Sequence, residues 1–181
     1  IITRSAVGKV GEKQVIAANI DYALIVQAVD RDFNLNRMDR YVAICYESGV
    51  KPILVLTKSD LISKEELQVF CRKVEDRFEK LSLIAISNET GYGFDELRKH
   101  MMGGNTYCLL GSSGVGKSSL VSMLAEDCKA RPVFENPDNN PFLPLFYDDP
   151  SRHAFQTQLF FLLSRYQQQT ELIQQDLFAQ K

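Results

Sequence analysis

Short apolar runs that alternate with segments of helical period predict an α/β fold, a parallel sheet with helices on both faces. Three observations carry this. Four apolar runs of strand length lie at 21–29, 52–56, 81–86 and 106–110. Between them, apolar residues recur at three- and four-residue intervals, the period of a helix face. The last run leads directly into Gly111-Ser112-Ser113-Gly114-Val115-Gly116-Lys117-Ser118, which has the G-x-x-x-x-G-K-S/T spacing of a phosphate-binding loop.

The elements follow in order. Residues 1–21 are polar and mixed and read as a loop or connecting strand. Asp21 to Val29 reads as a buried strand. Leu35 to Ser48 follows as a helix, with Leu35, Met38, Tyr41, Val42 and Cys45 on one face and Gly49 as its stop. Pro52 to Leu56 is a second strand. Ser63 and Glu66 form an S-x-x-E capping box for a helix that runs to about Lys80. Leu81 to Ile86 is a third strand, Phe94 to Met101 a short helix, Thr106 to Leu110 the fourth strand, and Ser118 to Glu126 the helix behind the loop. From His153 to Phe178 a long helix is expected, packing through Phe155, Leu159, Leu162, Leu163 and Tyr166. Gln167 to Gln169 and Gln174-Gln175 read as its solvated face.

In parallel sheets ligands bind at the carboxyl ends of the strands. All the motifs fall there. Glycines let the loop backbone turn its N–H groups onto phosphate oxygens, and the following helix presents its positive end. Gly111, Ser112, Ser113, Gly114, Val115 and Gly116 form the cradle, and Ser119 lies behind it. Lys117 is expected at the surface, reaching the β- and γ-phosphates, and the Ser118 hydroxyl is expected to help hold Mg²⁺. Thr57-Lys58-Ser59-Asp60 ends the second strand. A carboxylate at Asp60 accepts two parallel hydrogen bonds from guanine N1–H and N2–H₂, a pair adenine lacks. The Lys58 stem is expected to lie along the base, its ammonium wet or bonded to backbone. Ser87 and Asn88, after the third strand, are expected to contact the base edge. The guanine signal precedes the phosphate loop, the reverse of the usual order. The fold is therefore expected to be a P-loop NTPase-type sheet with circularly permuted motifs and a C-terminal helical extension.

The composition narrows the class. With 181 residues and 45% hydrophobic content the chain fits one domain with an appendage. A net charge of −2 gives no broad pull toward nucleic acid, and DNA is not an expected partner. Cys45, Cys71, Cys108 and Cys128 form no C-x-x-C pair, so neither a zinc site nor a disulfide framework is expected, and a reducing cytoplasm is. No run reaches membrane-spanning length. The chain opens at Ile1 rather than Met, as a fragment would.

Residues 14–21 (QVIAANID), Asp32-Phe33-Asn34-Leu35, Leu56 to Asp60, Thr90-Gly91-Tyr92-Gly93 and Leu110 to Leu120 closely resemble the circularly permuted GTPases of small ribosomal subunit maturation. The resemblance covers about residues 1–124. It implies GTP and GDP as ligands, Mg²⁺ as cofactor, GTP hydrolysis as activity, and the small ribosomal subunit with its rRNA as partner. That family carries an RNA-binding barrel before this region and a zinc segment after it. Neither is visible here, so weak subunit binding is expected. A D-x-x-G motif should follow the loop, and none occurs after residue 118. Nucleotide binding is therefore expected to outlast hydrolysis.

Residues 125–181 are similar to a second family. Leu124 to Asp127, Phe134 to Leu143, Phe146-Tyr147 and Ala154 to Tyr166 resemble the early part of bacterial deoxynucleoside kinases. That resemblance implies Glu135 as the base that deprotonates a sugar hydroxyl, Gln158 as a nucleobase partner and Arg165 seven residues on. The two families share the phosphate loop, as a chain joining two P-loop proteins would. The expected domains are a GTPase-like unit at 1–124 and a kinase-like helical segment at 125–181 on or beside it. Two further readings stand beside the GTPase: a deoxynucleoside kinase, and a nucleotide-binding module without turnover.

Overall fold

The computed structural model describes residues 2–5, 13–17, 19–30, 33–101, 103–129, 132 and 139–179. The chain divides into two compact units, Ile1–Asp127 and Cys128–Lys181.

The first unit opens with a two-stranded antiparallel sheet, β1 (Ile2–Ser5) and β2 (Lys13–Ala17), in which Ile2 faces Ala17 and Thr3 faces Val15. The described part of 1–21 thus holds two paired strands where a loop or connecting strand was expected. Neither strand carries an apolar run long enough to mark it. The main sheet contains β3 (Tyr22–Ala28), β4 (Lys51–Thr57), β5 (Leu83–Ala85) and β6 (Tyr107–Leu110). Its order is β5-β4-β3-β6 and every pairing is parallel, with Leu24 opposite Ile53 on one side and Leu109 on the other.

Side chains alternate across the sheet with period two. Ala23, Ile25, Leu54 and Leu56 turn to one face and pack with Met38, Val42 and Cys45 of α1 (Leu35–Glu47) and Val74 of α2 (Lys64–Arg77). Leu24, Val26, Ile53 and Val55 turn to the other, against Phe94 and Leu97 of α3 (Phe94–His100) and Leu120 and Leu124 of α4 (Lys117–Asp127). Burial on both faces explains why these strands read as unbroken apolar runs. Each fully buried Leu or Ile contributes about 1.5–3 kcal/mol.

Local signals set the helix ends. Asn34 caps α1, its side chain accepting from the Arg37 N–H at 3.0 Å. The Ser63/Glu66 capping box at α2 is complete in both directions, at 3.2 and 2.9 Å. α2 stops at Arg77, three residues short of the expected end, because Phe78 turns into the core at 9% exposure.

The second unit holds α5 (Leu143–Asp148) and α6 (Pro150–Ala179). α5 has no counterpart in the sequence reading. At six residues with no side-chain cap, it falls below the length at which periodicity is visible. The expected packing face of α6 is corrected by the structure: Phe155, Leu162, Leu163 and Tyr166 are 59–74% exposed and Leu159 is 40% exposed. The sheltered side runs instead through His153, Ala154, Thr157, Phe160, Phe161 and Ser164. Apolar residues at 159–163 follow one another around the helix, so two faces competed for the same period. Buried Asn140 and Thr157 select the inner one. Asn140 Nδ2 donates to the Thr157 carbonyl at 3.2 Å, and the Thr157 hydroxyl donates to the Phe142 carbonyl at 3.2 Å and to His153 O at 2.8 Å. Among the described residues no helix is long and apolar enough to cross a membrane.

Candidate functional site

At the carboxyl ends of β4, β5 and β6 three loops meet. β4 ends at Thr57, which is fully buried, and the chain turns through Lys58 in the left-handed region (φ 61°) into a short 3₁₀ turn at Ser59–Leu61. That turn presents the Asp60 carboxylate at the wall of a cleft of about 470 Å³, lined also by Ile62, Leu67, Thr90 and Tyr92. The volume lies within the usual range for small-molecule sites, roughly 300–1,000 Å³. Asp60 is exposed at the cleft mouth. Its Oδ1 accepts a short hydrogen bond, 2.5 Å, from the Ser87 hydroxyl.

Ser87 is fully buried, and its hydroxyl also accepts from the Glu89 and Thr90 N–H groups at 3.2 and 3.1 Å. Its side chain therefore holds Asp60 and caps the turn after β5. Asn88 Nδ2 donates to the Gly116 carbonyl at 3.1 Å, while its Oδ1 is buried with no hydrogen-bond partner among the described residues. The Lys58 ammonium pairs with Asp30 Oδ2 at 2.7 Å, beyond the end of β3. That carboxylate fixes the lysine head.

The phosphate loop joins β6 to α4. The strand Tyr107–Leu110 delivers Gly111 against β3, where an added Cβ would lie 2.4 Å from the Val26 carbonyl oxygen. Only glycine permits that approach. Gly116, at φ 90°, brings its backbone within reach of Asn88, and a Cβ there would meet Nδ2 at 2.8 Å. Val115 is buried, and its carbonyl accepts from the Thr57 hydroxyl at 2.7 Å. Ser113, Gly114, Ser118 and Ser119 are exposed along the loop and first helical turn.

Lys117 was expected at the surface and is half-buried. Its ammonium donates to the Gly111 carbonyl at 2.9 Å and, by a shorter contact, to the Ser112 carbonyl. Desolvation lowers its pKa from the ordinary lysine value. Among the described residues it bonds to these carbonyls and to no carboxylate, so its charge stays uncompensated for an incoming anion. Burial also pushes the thiols of Cys45 and Cys108 up, to about 12 and about 11, so both stay protonated.

Two participants escaped the sequence reading. Arg37 of α1 donates from Nη1 to the Ser112 hydroxyl at 2.6 Å, although 75 residues separate them. No local pattern marks it. Asp30 had a faint signal, an acid directly after an apolar strand at the ligand-binding end of the sheet. Of the kinase-like residues, Gln158 and Arg165 are both exposed on α6, seven positions apart. Glu135 lies outside the described residues.

Strand order, parallel pairing and a glycine-rich loop placed after the Thr57–Asp60 loop define the fold of the circularly permuted P-loop GTPases. The sequence profile of the RsgA GTPase family matches residues 1–133, and the chain belongs to that family. It is 44% identical over 121 residues to the small ribosomal subunit biogenesis GTPase RsgA 2 of Listeria monocytogenes, covering 67% of this chain and 34% of the relative. Among solved structures it resembles YjeQ from Thermotoga maritima, with TM-score 0.52 and 26% identity, over 57% of this chain and 37% of that one. It resembles YloQ, a circularly permuted GTPase, with TM-score 0.51 and 25% identity, over 60% of this chain and 39% of that one. The chain spans about a third of the length of the curated relatives it matches. A second profile, that of the deoxynucleoside kinases, matches residues 107–179 and so shares the phosphate loop with the first.

Proposed function

We propose that this chain binds GTP and GDP with Mg²⁺ and serves small ribosomal subunit biogenesis in the cytoplasm, with GTP hydrolysis as the activity of its family. One observation carries the reading: the base-reading loop and the phosphate loop are bonded to each other. Thr57, in the first, donates to Val115 of the second, and Asn88 donates to Gly116. The two halves of a nucleotide site are thereby held as one surface.

Within it each residue has a task. Asp60, held by Ser87, accepts the guanine N1–H and N2–H₂. The Lys58 stem, anchored through Asp30, covers the base. Gly111, Ser112, Ser113, Gly114, Val115 and Gly116 wrap the phosphates with backbone N–H groups. Lys117 leaves its loop carbonyls for the β- and γ-oxygens. The exposed Ser118 hydroxyl is the ligand this chain offers to Mg²⁺, and Ser119 stands beside it at the start of α4. A metal held there would supply charge neutralisation to the phosphates.

A panel of GDP, GTP, ADP and ATP, read by calorimetry, tests this. Guanine nucleotides are expected to bind at least tenfold more tightly. Asp60→Asn offers a donor in place of one acceptor, so preference is expected to move toward xanthine nucleotides. Equal binding of GDP and ADP by the unaltered chain would reject the reading.

The kinase-profile match favours a second reading for the C-terminal unit, in which Glu135 is the base and Gln158 and Arg165 hold a deoxynucleoside. Phosphoryl transfer from ATP to a panel of deoxynucleosides tests it, and negligible transfer is expected.

A further inference from the structure

A second cleft of the first unit lies at the end of the strands opposite Asp60 and the Gly111–Ser118 loop. It measures about 610 Å³ and opens beside Lys51 at the start of β4. Tyr22, Tyr46, Lys80, Lys99 and His100 also line it, and among the described residues no carboxylate does. Three separate connections deliver these cations. Lys51 follows the α1–β4 turn, Lys80 precedes β5, and Lys99 with His100 closes α3. Of the three lysines, Lys99 is bound to a carboxylate within its own helix, Glu96 at 2.8 Å. The Lys51 ammonium lies 5.3 Å from the centre of the Tyr22 ring, which stacks on Tyr107 at 5.1 Å. Tyr46, 60% exposed, offers an open aromatic face. The acids Asp76 and Glu79 line a neighbouring hollow that Tyr46 and Lys80 share.

We propose that this cleft is a second ligand site, one that grips single-stranded RNA through its phosphates with one base stacked on Tyr46. A compact phosphate site converges backbone N–H groups on one point. Here the donors are long lysine stems spread across three connections, an arrangement suited to successive phosphates of a strand. An exposed aromatic among cations is the stacking platform of sequence-tolerant strand binders. The polyanion is identified as RNA on the strength of the ribosomal-subunit reading above, and the proposal rests on that reading. The overall charge of −2 does not oppose it, because salt-dependent binding follows the local phosphate contacts.

The experiment uses the full chain saturated with GDP, so that the phosphate loop is occupied. A fluorescein-labelled 12-nucleotide single-stranded RNA of mixed sequence is titrated by anisotropy at several salt concentrations. Binding with Kd of order 10⁻⁵ M is expected at low salt. Lys51→Glu with Lys80→Glu is expected to weaken it at least tenfold, and Lys51→Gln with Lys80→Gln to lower the log–log salt slope by about 1.4. Tyr46→Ala is expected to cost about fivefold without changing that slope. All these positions are exposed except for the shared Tyr22 contact, and GDP affinity and thermal midpoint are expected to stay unchanged. RNA affinity and salt slope unaffected by the lysine variants would overturn the site while leaving the ribosomal reading standing. Displacement of the RNA by 1 mM inorganic phosphate or GMP would overturn it in favour of a small-anion cleft. Loss of both RNA binding and association with small subunits in the unaltered chain would overturn the site and that reading together.

Discussion

Lys117 holds its charge against two carbonyls of its own loop, in a half-buried position that lowers its pKa. In the proposed nucleotide site its removal takes away the cation assigned to the β- and γ-phosphates. A hydrogen bond to a charged group is worth about 1.5–3 kcal/mol, so Lys117→Ala is expected to weaken GDP and GTP by one to two orders of magnitude. The fold is expected to persist, because the ammonium supports the loop and no core residue. Calorimetric titration beside a thermal melt checks both halves. At this scale the sequence was legible wherever chemistry is written locally. The spacing of Gly111 to Ser118 marked the loop between β6 and α4, and Thr57 to Asp60 marked the turn after β4 that lines a cleft through Asp60. It was silent where a role depends on distant partners. Thr57 is buried, and its hydroxyl donates to the Val115 carbonyl across a separation of 58 residues. Ser87 has partners that no local pattern marks: its hydroxyl donates to Asp60 and accepts from the Glu89 and Thr90 N–H groups. Arg37 carried no mark at all, since its partner Ser112 enters only when α1 and β6 are laid beside β3.

Among the elements, the four main strands and their helices were legible because each is either apolar throughout or amphipathic with a capping signal. α2 is the clearest case. Ser63 and Glu66 satisfy each other's backbone donors, and both bonds are formed. Ser63→Ala is expected to destabilise the first unit by about 1 kcal/mol, read as a lower midpoint in urea with unchanged slope. GDP affinity is expected to change little, since Asp60 is held from β5 by Ser87. The elements that stayed hidden are short or two-faced. The β1–β2 hairpin is four residues paired with five, and α5 is six residues long. In α6 the run Leu159 to Leu163 supplies apolar residues to every side, so the pattern could not choose, and buried Asn140 and Thr157 chose instead.

For the whole molecule, the family match and the sheet agree on a P-loop GTPase fold, while residues 119–181 contain no glycine and hence no D-x-x-G motif. That motif supplies the γ-phosphate contact on which turnover depends. Phosphate release under saturating GTP is expected to fall well below ~1 s⁻¹, the low end of ordinary enzymes. Brisk release that vanishes with Lys117→Ala would reveal a substitute among the present residues. The bonds from Thr57 to Val115 and from Asn88 to Gly116 have one more consequence. A nucleotide is a bivalent ligand, with a base at one end and phosphates at the other. Two receptors fixed at the right separation see the second end at a high effective concentration once the first has docked. Guanosine and pyrophosphate, offered apart, are expected to bind feebly, and GDP far more tightly than either. Thr57→Val keeps the shape and removes the donor to Val115. It is expected to cost GDP about tenfold while leaving each fragment within about twofold, because what it loosens is the distance between the ends rather than the grip on either.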